Sequence, residues 1–175
     1  MIVKDKHFKV YLEEEKIQKR LKEIGQQITN DYKGKDLVIV GILNGAFMFL
    51  ADLCRYIDLP LEISFAKYAS YSGTSSTGKV AELIGFDESI KGKNVLIVED
   101  IIDTGNTIKK LSEDVIKKDP ASVKIAALLL KPEVYKGSTI IDYLGLKIDN
   151  KFVIGYGLDY DGYGRNLKDL YILDE

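Results

Sequence analysis

Apolar residues along this chain alternate between two rhythms. Ile17, Leu21, Ile24 and Ile28 recur at three- and four-residue intervals, on one face of an opening amphipathic helix. Residues 37–42 (LVIVGI) then make an unbroken apolar run suited to a strand buried on both faces, and Phe47, Leu50 and Leu53 mark the core side of the helix after it. Residues 61–67 read as a further strand, 95–98 (VLIV) as the central one and 123–130 (VKIAALLL) as the next. Between the last two, Ile108, Leu111, Val115 and Ile116 predict a helix over 105–118, stopped by Asp119-Pro120. This alternation predicts an α/β fold with a central, mostly parallel sheet and helices on both faces. After residue 131 the pattern turns to loops and short strands, at 139–144, 152–156 and 170–173. With the N-terminal segment these are expected to form a small hood over the sheet's ligand-binding edge. The expected organisation is a single domain over residues 1–175, with a core spanning 10–130.

Composition narrows the classes. A chain of 175 residues is long enough to bury one substantial core. A net charge of −2 argues against nucleic acid or an anionic membrane as the main partner. The one cysteine, Cys54, cannot form a disulfide within the chain and is expected as a small buried hydrophobe on a helix. The one histidine, His7, lies in a charged N-terminal segment; a His-based triad or multi-His metal site is excluded. Residues 1–15 lack an apolar signal core and no stretch reaches membrane-spanning length, so a cytoplasmic protein is expected.

Residues 95–107, VLIVEDIIDTGNT, carry the chemistry. Glu99 and Asp100 stand where the central strand should end, and Asp103-Thr104-Gly105-Asn106-Thr107 then turn into a helix. In open α/β sheets ligands bind off the carboxyl ends of strands, and backbone N–H groups in such a turn and at a helix start favour a phosphate. Like charge keeps phosphate away from the two acids. They suit Mg²⁺ held through water, or the hydroxyls of a sugar diol. Gly105 lets the backbone approach closely, and the Thr104 and Thr107 hydroxyls can donate to phosphate oxygens. A sugar phosphate satisfies the whole run. The plainer reading is a strand end with solvated acids and a helix capped by Asp103 or Thr104.

The run resembles the PRPP-binding signature of type I phosphoribosyltransferases, and the hypoxanthine-guanine branch in particular (PRPP is 5-phosphoribosyl 1-pyrophosphate). The resemblance covers nearly the whole chain, including LVIVGILNGAFMFLADL (37–53), SYSGTSSTGKV (70–80), Lys131-Pro132 and KFVIGYGLDYDGYGRNL (151–167). It implies the family fold, Mg²⁺ as cofactor, and PRPP, 6-oxopurine bases, IMP or GMP, and pyrophosphate as small-molecule partners. It also implies a homodimer or homotetramer.

Residue by residue, Asp103 is implied as general base, and Asp103 to Thr107 as the 5′-phosphate loop. Glu99 and Asp100 would position the ribose and its metal shell. Leu43-Asn44-Gly45 would bind pyrophosphate through backbone amides once the Leu43–Asn44 peptide is cis, with Arg165 reaching the same group. Asn44 replaces the Lys or Arg usual there. Lys131 would donate to the exocyclic oxygen of the base, Phe152 would stack on it, and the Val153 backbone would read its edge. Asp159 would border the base and share in holding Mg²⁺ with Glu99 and Asp100. Ser70 and Tyr71 would form the base of a lid over residues 70–82.

Gly73 to Lys79 also matches G-x-x-x-x-G-K, the start of a P-loop. Val80 stands where Ser or Thr should follow, and Gly85-Phe86-Asp87 leaves little helix to cradle a triphosphate. Two functions remain in view: transfer of 5-phosphoribosyl from PRPP to N9 of hypoxanthine or guanine, and a non-catalytic regulator that senses PRPP or nucleotides on the same scaffold.

Overall fold

The computed structural model describes residues 1–70, 80–86 and 88–174. After a short hairpin of β1 (Ile2–Val3) and β2 (Lys6–Leu12) come α1 (Glu14–Asp31), β3 (Leu37–Leu43), α2 (Phe47–Arg55) and β4 (Glu62–Ser70). Next are β5 (Val80–Ile84), β6 (Asn94–Ile102), α3 (Asn106–Ile116), β7 (Ser122–Leu130), β8 (Tyr143–Lys147), β9 (Val153–Ile154) and β10 (Leu170–Leu173). The main sheet has the order β5-β4-β3-β6-β7-β8, parallel throughout except for β5, which runs antiparallel to β4.

Strand β6 lies at the centre, which explains the unbroken hydrocarbon run Val95–Val98 within it. Leu96 and Val98 face one core with Ile17, Leu21, Ile24 and Ile28 of α1 and Phe49, Leu50 and Leu53 of α2. Val95 and Ile97 face the other core, with Ile108, Leu111 and Val115 of α3. Successive side chains leave a strand on opposite faces, so a strand covered on both sides must be apolar at every position. Each such side chain contributes about 1.5–3 kcal/mol on burial.

The acids do not end the strand: β6 continues past Glu99 and Asp100 to Ile102, pairing Ile101 with Leu129 and Ile102 with Leu130 of β7. Backbone ladders are indifferent to side-chain charge, and two acids in mid-strand look like an end when read from side chains alone. Helix α2 buries Phe49, Leu50 and Leu53 while Phe47 is exposed, which corrects the expected face by two residues. The segment FMFLADL is apolar on nearly every side and offers no clear stripe. In α3 Ile116 is exposed, beyond the buried stripe of Ile108, Leu111 and Val115.

A second, four-stranded sheet has the order β1-β2-β10-β9 and joins the two ends of the chain. Strand β8, expected within the hood, instead extends the main sheet as the parallel neighbour of β7. Arg20 of α1 donates to the carbonyl oxygens of Leu144 and Gly145, clasping that edge to the helix layer. Residues 80–84 form a strand, where a P-loop needs a helix; Gly73 to Lys79 lie outside the described residues. Cys54 is half-buried against the α1–α2 core, and burial pushes its thiol pKa up.

Core position and exposure give a contrasting pair of variants. Leu96→Ala is expected to cost about 2–5 kcal/mol in urea unfolding, and Ile116→Ala to stay within about 0.5 kcal/mol. Equal losses at the two positions would contradict the burial described for them.

Candidate active site

Parallel strands bring their carboxyl ends to one edge, and three of them deliver side chains or loops to it. The end of β3 supplies Leu43-Asn44-Gly45, with the Leu43–Asn44 peptide in the cis form. The end of β6 supplies Glu99, Asp100 and the turn into α3, and the residue after β7 is Lys131. From the C-terminal segment Asp159 and Arg165 close the far side. A cleft of about 310 Å³ lies between these pieces, lined among others by Leu43, Asn44, Gly45, Glu99, Asp100 and Thr107. Asp103, Thr104, Gly105, Asp159 and Arg165 also line it.

The turn before α3 depends on Gly105, which takes φ of 90° at the N-cap position, a left-handed conformation natural to glycine. No side chain caps the helix, and its first turn carries no acid. The turn that opens α3 lies beside the cleft, with the Asn106 N–H 3.5 Å from the Thr104 hydroxyl oxygen. The Tyr135 ring packs against Gly105, where any side chain would collide with it, and its hydroxyl donates to the Thr139 carbonyl at 2.6 Å. Of the plainer reading, with Asp103 or Thr104 as the cap, only that long contact from the Asn106 N–H to the Thr104 hydroxyl remains, while the N-cap position falls to Gly105 and Asp103 makes no cap bond. Asp103 Oδ1 instead lies 3.0 Å from Lys131 Nζ, an ion pair between the half-exposed acid and a buried lysine.

Glu99 and Asp100 form the most unusual electrostatic feature. Glu99 Oε2 is buried and has no hydrogen-bond partner. Burial, and then the neighbouring Asp100 charge, raise the Glu99 pKa well above the usual carboxylate range. Asp100 accepts from the Ile101 N–H at 2.7 Å, yet burial still pushes its pKa up to about 6. The Ile101 N–H and the charge of Arg165 pull the other way without prevailing. Gly45 lies directly beneath the Asp100 carboxylate, so closely that a methyl group there would overlap it.

Arg165 does not neutralise the pair, because it is engaged elsewhere. Its Nη2 lies 2.7 Å from Asp159 Oδ1, and its Nη1 donates to the Gly157 carbonyl at 2.7 Å. Asp159 Oδ2 accepts from the Gly162 N–H at 2.6 Å. Among the described residues no three His, Cys, Asp or Glu side chains converge as a metal cage. Glu99, Asp100 and Asp159 thus do not make a closed site by themselves. Magnesium commonly takes one or two carboxylates and completes its shell with water and phosphate oxygens. An unpartnered Glu99 oxygen beside an Asp100 of raised pKa fits such a shared ion, and equally fits ribose hydroxyls.

The remaining expected residues divide. Asn106 is the exposed first residue of α3 and does not line the cleft. Lys131, Phe152 and Val153 lie outside its lining, though Lys131 reaches it through Asp103. Val153 is buried in β9, paired with Ile172. Phe152 is 49% exposed beside Phe8 and Tyr160, with ring centroids 6.5 and 6.0 Å away. Ser70 ends β4, and Tyr71 lies outside the described residues. Tyr68, which the sequence reading missed, lines the cleft and donates to Glu82 at 2.9 Å. Its position two residues before Ser70 on an alternating strand was the available signal.

A family model described as the phosphoribosyl transferase domain matches residues 7–161. The chain belongs to the phosphoribosyl transferase family. It is 45% identical over 161 residues to a hypoxanthine phosphoribosyltransferase of Escherichia coli, covering 90% of each chain. It is 47% identical over 159 residues to a hypoxanthine-guanine phosphoribosyltransferase of Staphylococcus aureus, covering 90% of this chain and 89% of the relative. A crystal structure of a hypoxanthine phosphoribosyltransferase from S. aureus superposes with a TM-score of 0.89 at 46% identity, over 95% of this chain and 91% of that one. These relatives are enzymes, and none of them supports the regulator reading.

For this phosphoribosyltransferase the acid pair gives a pH dependence of defined sign. The folded Asp100 holds its proton more tightly than the unfolded one, so the free protein should lose stability as pH rises from the ordinary carboxylate value of 3.8 through about 6. Asp100→Asn keeps an acceptor for the Ile101 N–H and removes the charge. It is expected to raise stability at neutral pH by about 1–3 kcal/mol and to flatten the acid side of the melting profile. Unchanged melting temperatures across that range would contradict the raised pKa.

Proposed function

We propose that this phosphoribosyltransferase salvages 6-oxopurines, moving 5-phosphoribosyl from PRPP to N9 of hypoxanthine or guanine to give IMP or GMP and pyrophosphate. The observation that carries the reading is the Asp103–Lys131 pair at 3.0 Å on the lip of the cleft. It puts a proton acceptor and a three-donor ammonium side by side, next to the amides that suit a phosphate. The likeness to hypoxanthine and hypoxanthine-guanine enzymes supports the same substrate class.

In this reading the α3 amides and the Thr104 and Thr107 hydroxyls hold the 5′-phosphate. Leu43 to Gly45 and Arg165 hold the pyrophosphate, and Glu99 and Asp100 take the ribose hydroxyls. Glu99, Asp100 and Asp159 are the residues that would hold Mg²⁺, which when bound would supply charge neutralisation for the pyrophosphate. N9 of the base forms a bond to C1′ as the bond from C1′ to the pyrophosphate oxygen breaks. The N7 proton passes to the Asp103 carboxylate, which lies in the open part of the cleft and is not consumed by helix capping. Lys131 donates to O6 of the base. An adenine amino group would leave that donor unpaired at a cost of about 1–3 kcal/mol, disfavouring adenine by roughly tens-fold. Phe152 covers one face of the base, the Val153 backbone reads its edge, and Asp159 borders it. Among the described residues no helix is long and apolar enough to cross a membrane; we place the enzyme in the cytoplasm as a homodimer or homotetramer.

Absorbance assays with PRPP and Mg²⁺ test this directly. Hypoxanthine and guanine should turn over and adenine should not; no turnover with any base would end the enzyme reading. Asp103→Asn should lower kcat by about 10²–10⁴-fold with little change in melting temperature, and near-normal turnover would remove Asp103 as base.

A further inference from the structure

Tyr156 occupies a backbone position where its side chain is a liability unless it is used. Its φ is 47°, in the left-handed region, between Gly155 and Gly157 at 95° and 101°. A third glycine would fit this turn without steric cost. The tyrosine is instead fully buried, and its hydroxyl donates to Asp52 Oδ2 of α2 at 2.5 Å. Gln18 of α1 donates to the same carboxylate oxygen at 2.7 Å, and the Tyr56 hydroxyl donates to Gln18 Oε1 at 3.0 Å. The other Asp52 oxygen lies 3.4 Å from the exposed Arg55. A largely covered carboxylate thus collects donors from α1, α2 and the C-terminal loop.

What this knot fixes lies one residue away. Gly157 N–H donates to the Arg165 carbonyl at 2.9 Å, and the Arg165 side chain returns to the Gly157 carbonyl at 2.7 Å. Gly157 also abuts the Gly45 carbonyl so tightly that a methyl group on it would overlap. Asp52 rides on the helix that begins just after Gly45. The strand-end loop at 43–45 and the Arg165 guanidinium are therefore held in one frame from below, by way of Tyr156.

We propose that Asp52, with Tyr156 and Gln18, is a positioning residue that sets Arg165 against the Leu43–Gly45 loop and so tunes affinity for the pyrophosphate group. None of the three touches the reacting atoms. The inference rests on the assignment of that loop and Arg165 to pyrophosphate made above. It predicts a selective kinetic effect that loss of packing alone would not give.

The test compares Tyr156→Phe, Asp52→Ala and Asp52→Asn by steady-state kinetics, by calorimetric titration with Mg²⁺-pyrophosphate and by melting temperature. Tyr156→Phe keeps the ring and the packing and removes only the hydroxyl, which donates to Asp52 and accepts from Gln18 Nε2 at 3.1 Å. Tyr156→Phe and Asp52→Ala should raise KM for PRPP and Kd for pyrophosphate by about tenfold. At saturating PRPP, kcat and KM for the purine should stay within about twofold of wild type. Asp52→Asn, which keeps an acceptor for the tyrosine hydroxyl, should recover most of the loss. Lower melting temperatures with unchanged pyrophosphate affinity in Tyr156→Phe would overturn the proposal, as would an Asp52→Asn as impaired as Asp52→Ala. Should Asp52→Ala not fold, Tyr156→Phe decides alone. Wild-type protein that fails to bind pyrophosphate would instead sink the underlying assignment of the site, and the positioning role with it.

Discussion

Glu99 and Asp100 place two carboxylates side by side in a cleft where, among the described lining residues, Arg165 is the only basic side chain and is already bound to Asp159. The rest of the architecture makes that arrangement tolerable. The central strand that carries them is anchored by ladders on both sides and by two hydrocarbon cores, so the backbone cannot retreat to let the acids reach water. Glycine at position 45 gives one acid the room it needs, and burial with the neighbouring Asp100 charge raises the pKa of the other. Functional sites commonly keep groups that are unfavourable in the free protein and satisfied by the ligand. Here the acid with an unpartnered oxygen, Glu99, and its neighbour Asp100 both line the cleft.

Much of the fold was legible because burial leaves a strict pattern. A strand packed on both faces has no polar position to spare, and VLIV shows this directly. The stripe Ile17, Leu21, Ile24, Ile28 is equally plain because the opposite face of α1 is charged. Legibility failed where burial is partial or indiscriminate. Helix α2 is apolar on most sides, so periodicity could not choose Phe49 over Phe47. Strand β2 turns Phe8 fully inward among mostly exposed neighbours, and reads as a charged N-terminal segment. Strand β8 is short and closes a sheet edge, where a half-covered strand resembles a loop.

The site divides along similar lines. Residues 99–107 were legible because acids, glycine and threonines fall together in one short run, whereas 43–45 were reached through resemblance. Arg165 and Asp159 were reached only by resemblance, since nothing local marks them. The Asp103–Lys131 pair joins two strand ends through the sheet, and no spacing rule shows it. The helix cap misled for a related reason: Asp and Thr before a helix are ordinary caps, and here the carboxylate is drawn away by a lysine distant in sequence. Tyr156 was passed over between two glycines, because its partners come from α1 and α2.

The second sheet has a consequence for how the chain is made. Strand β2 pairs with β10, so Phe8 meets Leu173 across the ladder, and Phe8 in turn flanks Phe152. During synthesis the first of these strands leaves the ribosome long before the last. The six-stranded sheet from β3 to β8 can assemble while translation continues, since all its members precede residue 148. Residues 6–12 must wait, one edge unpaired, until residues 170–173 emerge. A nascent chain stalled between residues 148 and 170 would carry the turn at 103–107 already placed on its sheet and Phe8 still without its strand partner.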